Sequence, residues 1–439
     1  MELIIQNATL LNQPGLHHIG VEHGRIVTID TEIPVSAAAR TLDLAGNCVV
    51  PYFIDSHFHL DSVLSLGNPR FNQSGTLFEG IEIWGELKAE ISREEIVQRA
   101  TQYCKWAIAQ GIGAIRSHVD VSEKTLTTVE ALLEVREAMK EFLTIQLVAF
   151  PQDGYLRVPG QDRLLARALD MGVDVVGGIP HGERTMADGA ESIRQLCEIA
   201  AARGLRVDMH CDESDDPLSR HIEALAYHTQ RLGLHGRVSA SHLTSMHSMD
   251  HYYVSKLLTL MAEARIHAIS NPLINITLQG RHDTYPKRRG VTRIPEMLEK
   301  GINVSLGHDC VMDPWYAMGR ADMLEVASMA WHLCQMTRPS QSEDVIEMIT
   351  SRAAATLGIE DYQTEVGNPA NFVVLQAQSA HDMLRLKPNR LYVIRNGKII
   401  AQSAPQYSTV TLGDQVTEID FNKEKGFATP SKATVFPIS

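Results

Sequence analysis

The sequence contains no C-x-x-C pair, no G-x-G-x-x-G, and no apolar run near the roughly 18–20 residues that a membrane span needs. Each absence removes a class of protein. The six cysteines stand at positions 48, 104, 197, 211, 310 and 334, so neither a zinc ribbon nor a thioredoxin-type pair is available. In a chain of 439 residues a disulfide framework is not expected, and reduced thiols suit a cytoplasmic setting. The opening MELIIQNATLL has no basic segment followed by an apolar stretch, so a secretory signal peptide is not expected and the expected location is the cytoplasm. Positive charge is also scarce. Forty Lys and Arg face 53 Asp and Glu, a formal charge of −13, whereas binding to a polymer of phosphates requires a basic surplus. Neither a nucleic acid nor a membrane is an expected partner.

What is present is an ordered alternation. Residues 1 to about 50 read as short strands, with His23-Gly24 where a tight hairpin turns. ANFVVL (370–375) and LYVIRNGKII (391–400) repeat that style, and Asn396-Gly397 is a strong two-residue hairpin signal. The two ends are therefore expected to meet in one small β-sandwich domain, from 1–50 and 366–439, with the tail after about 405 as a peripheral strand or a partly disordered segment. Between them, over 51–365, eight apolar runs alternate with amphipathic helical stretches: CVVPYFIDSHFH, IGAIRSHVD, TIQLVAFPQ, VDVVGGIP, RVDMHCDE, VSASHL, HAISNP and INVSLGHD. One of the helices opens on a Ser92/Glu95 capping box and stops at Gly111. Near-continuous apolar strands imply burial on both faces and hence a parallel sheet. Eight strand–helix units point to an α/β fold of the (β/α)8 TIM-barrel type. A doubly wound open sheet is disfavoured, because its glycine fingerprint is missing.

Barrels of this kind carry their chemistry at the C-terminal ends of the strands. The runs end in His57 and His59, His118 and Asp120, Gln152, His181, His210 and Glu213, His242, and His308 and Asp309. Any one of these alone reads as a loop or core residue; their recurrence at seven of the eight ends does not. His57 and His59 lie two apart on a strand and so point to one face. With His210 and Asp309 they make a three-His, one-carboxylate set suited to Zn2+ or Fe2+, with a position left for a water that the ion acidifies into a nucleophile. Glu213, three residues after His210, is a natural general acid/base.

Longer motifs carry a resemblance. HFHLD, NPRFNQSGTLFEGI, VAFPQ, HCDE, ASHLTSMHS, NPLINITLQGRHDTYPKRRG, GHDCVMDPWY and GNPANFVVL together resemble bacterial cytosine deaminases of the amidohydrolase superfamily, over nearly the whole chain. The resemblance implies one divalent metal on His57, His59, His210 and Asp309. It also implies that Glu213 shuttles a proton to the ring nitrogen beside the attacked carbon, and that His242 holds or deprotonates the nucleophile together with Asp309. Gln152 would bond the amide-like edge of the base, a role its donor and acceptor suit, while Leu77 and Trp315 would line the base pocket. The implied reaction is hydrolytic deamination of a free cytosine-type base in pyrimidine salvage, and assembly into a homo-oligomer is expected.

One position departs from the pattern. Cys310 follows Asp309 where such deaminases carry a second aspartate near ring carbon 5. A thiol there removes a charge and leaves a small polarizable surface, so 5-methylcytosine is expected to be accepted, giving thymine. Other readings remain open: deamination of isoguanine or another amino-substituted ring, or cyclic amide hydrolysis of the hydantoinase or dihydroorotase kind. The latter enzymes usually bridge two metals with a carboxylated lysine at the end of strand four, and VVGGIPHGERT has no lysine. A cytidine-deaminase fold needs H-x-E with P-C-x-x-C; His181-Gly182-Glu183 supplies only the first half. PKRRG (286–290) reads as a loop or subunit contact rather than a phosphate site, and His118 and Asp120 are expected to support the metal site from behind.

Overall fold

The eight apolar runs supply eight parallel strands of one sheet, in a computed structural model that describes residues 1–11, 13–34 and 40–422. They are β1 (Phe53–Phe58), β2 (Ile112–Asp120), β3 (Thr144–Phe150), β4 (Val175–Gly178), β5 (Arg206–Cys211), β6 (Val238–His242), β7 (His267–Ser270) and β8 (Val304–Leu306). Every strand pairs with its sequence neighbour in order. The circle closes just beyond β8, where Asp309 donates its N–H to the His57 carbonyl at 2.8 Å and His59 N donates back to the Asp309 carbonyl at 3.1 Å. The protein is thus a TIM-type (β/α)8 barrel. All nine residues of β2 and all six of β1 are buried, the signature of strands covered on both faces.

Local signals in the connections behave as their chemistry requires. The helix Arg93–Ala109 begins where the Ser92 hydroxyl accepts the Glu95 N–H at 3.1 Å, and it stops before Gly111, whose φ of +80° suits a residue without a Cβ. Among the described residues, no helix is long and apolar enough to cross a membrane.

The chain ends build a second, largely antiparallel sheet that resembles a small sandwich domain. Its strands are Leu3–Leu10, Leu16–Glu22, Arg25–Asp30, Arg40–Asp43, Cys48–Pro51, Phe372–Leu375, Arg390–Arg395 and Lys398–Gln402. One apolar cluster packs in this sheet, with Ile5, Ile19, Ile26, Phe372 and Ile394 among its buried members. Both expected hairpins form: His23-Gly24 (φ +50° and +73°) and Asn396-Gly397 (φ +48° and +72°) each turn two antiparallel strands with paired positive φ. The two turns touch. A Cβ on Gly24 would lie 3.0 Å from the Asn396 carbonyl oxygen, so the hairpins pack through their glycines.

The first apolar run is corrected. CVVPYFIDSHFH is two strands, of which Cys48–Pro51 joins the end sheet between Leu3–Leu10 and Phe372–Leu375, and only Phe53–Phe58 enters the barrel. Among the described tail residues, Ser408–Leu412 and Gln415–Ile419 form an exposed two-stranded hairpin. The expectation of partial disorder falls in part on 423–439, outside the described residues.

Candidate active site

At the C-terminal end of the barrel the strand-end side chains converge. His57, His59, His118 and His210 bring ring nitrogens within 4.8 Å of one another, and His57, His242 and Asp309 form a second such group. His57 belongs to both. The four expected ligands therefore span two overlapping clusters, and His118, expected only to support the site, sits inside the first. Its ring lies 4.2 Å from that of His57 and 4.5 Å from that of His210, and neither of its nitrogens has a hydrogen-bond partner.

The donor set fits a divalent cation. His59 Nε2 and His210 Nε2 are 3.1 Å apart. Asp309 Oδ1 lies 3.5 Å from His59 Nε2 and 3.7 Å from His57 Nε2, and this buried His57 nitrogen makes no hydrogen bond. Burial keeps these imidazoles neutral and ligand-competent: it lowers His59 to about 4 and drives His57 and His210 well below the usual histidine range. Positive neighbours would only deepen that effect. Neutral imidazole nitrogens and a carboxylate brought this close in a buried place suit a metal ion.

A polar chain runs behind the imidazoles. His57 Nδ1 lies 2.8 Å from Ser241 Oγ, and Ser241 Oγ donates to Asp208 Oδ1 at 2.8 Å. Arg116 Nη1 donates to Asp208 Oδ2 at 2.8 Å and to Ser239 Oγ at 3.0 Å, while Nη2 reaches the Thr356 carbonyl at 2.9 Å. Arg116 and Asp208 are both fully buried inside the barrel. Sequence reading assigned no role to Arg116, Asp208 or Ser241, although alternation along β2 and β5 places Arg116 and Asp208 on the same face as the strand-end His118 and His210.

On the pocket side, His242 is held between two carboxylates. Its Nδ1 lies 3.5 Å from Glu213 Oε1 and its Nε2 3.7 Å from Asp309 Oδ2. Asn275 Nδ2, at 3.1 Å, and Asn271 Nδ2, at 3.3 Å, steady the same ring from the β7 side. Burial raises Glu213 to about 8, so it holds a proton at neutral pH; burial and the Glu213 carboxylate push Asp309 up as well. Glu213 is presented by a rigid turn. Asp212, with φ +54°, accepts from Ser219 Oγ (2.7 Å), His221 N (3.0 Å) and Ile222 N (2.9 Å).

These groups face one cavity at the mouth of the barrel. His59, His210, Glu213, His242, Asp309, Gln152, Leu77, Cys310 and Trp315 all line it, so every expected site residue except His57 reaches the pocket, and His57 lies beneath. Ile179, Ile274 and Leu278 complete the wall; they were missed because apolar residues in VVGGIP and NPLINITLQG read as core. Trp315 donates its indole N–H to the Leu77 carbonyl at 3.2 Å. It lies so close to the helix Leu77–Lys88 that a Cβ on Gly80 would stand 2.2 Å from the indole. The Cys310 thiol donates to Asp309 Oδ1 at 3.4 Å and bonds Asp313 as well; burial keeps it neutral by pushing it well above the usual thiol range. Asp313 also accepts the N–H groups of Trp315 (2.9 Å) and Tyr316 (3.0 Å), so one carboxylate organises the Cys310–Trp315 wall.

One strand-end expectation, Asp120, resolves differently, while Glu183 and the PKRRG loop take structural roles. Asp120 turns from the metal site: its Oδ2 accepts from Trp84 Nε1 and Lys88 Nζ, both at 2.9 Å, because it sits at the last position of β2, where the helix Leu77–Lys88 reaches it. Glu183, half of the H-x-E coincidence, is a clamp that accepts the N–H groups of Tyr155 (2.7 Å), Leu156 (3.0 Å) and Arg157 (2.9 Å), holding the loop that carries Gln152. In PKRRG, Arg288 is engaged internally with Asp283 Oδ1 at 2.7 Å and the Asp215 carbonyl at 2.6 Å, which makes the segment a fastened loop.

Comparison with known proteins agrees with this geometry. Residues 40–401 match the model of the Amidohydrolase family. A 5-methylcytosine deaminase from Klebsiella pneumoniae, solved with 5-fluorocytosine, is 38% identical, with a TM-score of 0.89 over 92% of this chain and 98% of that one. N-isopropylammelide isopropyl amidohydrolase of Pseudomonas sp. (strain ADP) is 30% identical over 91% of this chain and 97% of its own length. Pterin deaminase of Rhizobium rhizogenes is also 30% identical, over 85% and 86%. A metal-competent imidazole cluster at the mouth of a closed barrel, matched by relatives of this extent, makes the chain a metal-dependent aminohydrolase that belongs to the amidohydrolase family.

Proposed function

We propose that the protein deaminates a free cytosine-type base, and that 5-methylcytosine is accepted alongside cytosine. The observation that carries this reading is the composition of one pocket, which is lined by the polar groups His59, His210, Glu213, His242 and Asp309 together with Gln152, Leu77, Cys310 and Trp315. The likeness to the 5-methylcytosine deaminase supports it.

His57, His59, His210 and Asp309 would hold one Zn2+ or Fe2+. Such an ion lowers the pKa of a water toward neutrality. A single ion is favoured because β4 ends in Gly178-Ile179-Pro180-His181, with no lysine to be carboxylated. Gln152 presents a donor and an acceptor to the amide-like edge of the ring. Glu213, protonated in its buried setting, gives its proton to the ring nitrogen beside carbon 4 as water oxygen bonds that carbon. Asp309 and His242 take the proton released by the attacking water. The amino group then leaves as ammonia with a proton passed back to it, the carbon–nitrogen bond breaks and a carbonyl remains. Cys310, a neutral thiol on the pocket wall, offers a methyl group at carbon 5 a polarizable surface where a carboxylate would hold water.

The deciding experiment measures metal content and kcat/KM for cytosine and 5-methylcytosine on one purified sample, together with Cys310→Asp. Turnover of both bases with one ion per chain, and a fall in the 5-methylcytosine to cytosine ratio in the variant, is the expected result. An unchanged ratio would remove Cys310 from specificity. A sample that holds metal but acts on neither base would move the substrate to isoguanine or another amino-substituted ring, as the ammelide and pterin relatives suggest. Two ions per chain would favour cyclic amide hydrolysis instead.

A further inference from the structure

Ser241 touches neither the pocket nor the proposed nucleophile. It lies behind the site, between the fully buried Asp208 and His57. The direction of hydrogen bonding along this chain is forced by proton count. Asp208, fixed by Arg116 at 2.8 Å, is a carboxylate and can only accept. The single hydroxyl proton of Ser241 therefore goes to Asp208 Oδ1. The oxygen of Ser241 is left as an acceptor, and its neighbour at 2.8 Å, His57 Nδ1, must be the donor. A neutral imidazole carries one proton, so His57 Nε2 keeps its lone pair, and that nitrogen is the one without a partner, 3.7 Å from Asp309 Oδ1.

We propose that Ser241 is a positioning residue that reads the charge of the Arg116–Asp208 pair and sets the His57 tautomer, turning Nε2 toward the metal. The inference rests on the proposal that His57 binds the ion. Among the described residues, Ser241 is the hydroxyl that bonds His57 Nδ1. Ser239, two residues earlier on the same face of β6, bonds Arg116 at 3.0 Å and holds the far end.

Two variants separate this role from simple packing. Ser241→Ala removes the acceptor and leaves the carboxylate. Asp208→Asn does the opposite. Arg116 demands the Asn carbonyl, so the amide N–H faces Ser241 and donates; Ser241 then donates to His57 Nδ1 and forces the imidazole proton onto Nε2. The first variant loses a preference; the second imposes the wrong one.

The measurement is Zn2+ affinity by chelator competition, the visible absorption of the Co2+-loaded protein, and the melting temperature of the metal-free protein. Ser241→Ala is expected to bind Zn2+ about 10–100-fold more weakly, with an altered Co2+ spectrum and a metal-free melting temperature close to that of the parent. Asp208→Asn is expected to bind more weakly still, and Ser241→Thr to recover most of the loss because its hydroxyl keeps the chain. Parental affinity and spectrum in Ser241→Ala overturn the proposal. So does a loss of affinity matched by an equal fall in metal-free stability, which would mark a packing role. A parent protein that binds neither ion would instead overturn the metal assignment on which the inference rests.

Discussion

The barrel and the end sheet are built from similar apolar strands, yet they distribute buried polar groups differently. The end sheet gathers Leu3, Ile5, Val21, Phe372 and Leu391 into one apolar cluster, and its buried cation, Arg390, is taken up singly by Asp322. Inside the barrel, Arg116, Asp208, Ser239, Ser241 and His57 are buried with almost no exposure and joined by hydrogen bonds into one network. Burying polar groups is costly unless each finds a partner. The barrel concentrates that cost where side chains must be aimed at the site, whereas the end sheet meets it at Arg390, which fastens the sheet to Asp322 and the Gln110 carbonyl. The comparison teaches where precision is needed in this molecule: at the strand ends and the layer directly beneath them.

That contrast can be broken at several points. The largest effect is expected from Glu213→Gln, which keeps the shape of the pocket and removes its mobile proton; turnover should fall about 10²–10⁴-fold while metal content stays at the parental level. Arg116→Leu should lower unfolding free energy in urea by about 3–5 kcal/mol, because Asp208 is left buried and unpaired, and should weaken metal binding as well. Phe372→Ala in the end sheet should destabilise by a similar amount, about 3–5 kcal/mol, and leave metal affinity unchanged. If both variants weakened metal binding equally, the two regions would not be separable in the way described. Gly80→Ala should push the Trp315 indole toward the cavity and lower kcat/KM for 5-methylcytosine more than for cytosine, within about 10–200-fold. The smallest effect is expected from Ser92→Ala, a loss of about 1 kcal/mol from the uncapped helix Arg93–Ala109, with kinetics unaltered.

Much of the site was legible because the barrel converts a one-dimensional fact, the last residue of a strand, into a shared position in space. His59, Gln152, His210, Glu213, His242 and Asp309 could be read this way, and all six line one pocket. Legibility failed wherever a side chain's meaning depended on a partner distant in sequence. Asp120 has the same type and placement as Asp309, yet Lys88 and Trp84 claim it. Ser241 resembles any small residue in a buried strand until Asp208 is found beside it. The run from Cys48 to His59 gives no local sign that it crosses from one sheet to the other. Its division is decided by Leu3–Leu10 and Phe372–Leu375, which flank only its first four residues.

The position of Cys48–Pro51 between those two strands has a consequence for the birth of the protein. On a ribosome the N-terminal strands emerge early, but the neighbour they lack, Phe372–Leu375, is made only after the whole barrel. The nascent end sheet therefore waits with one unpaired edge throughout synthesis of the catalytic domain, and an unpaired edge is a template for wrong partners. The glycine-to-glycine contact of the His23-Gly24 and Asn396-Gly397 turns can form only at the close of that interval. Completion of this small sheet is the late step that ties the beginning of the chain to its end.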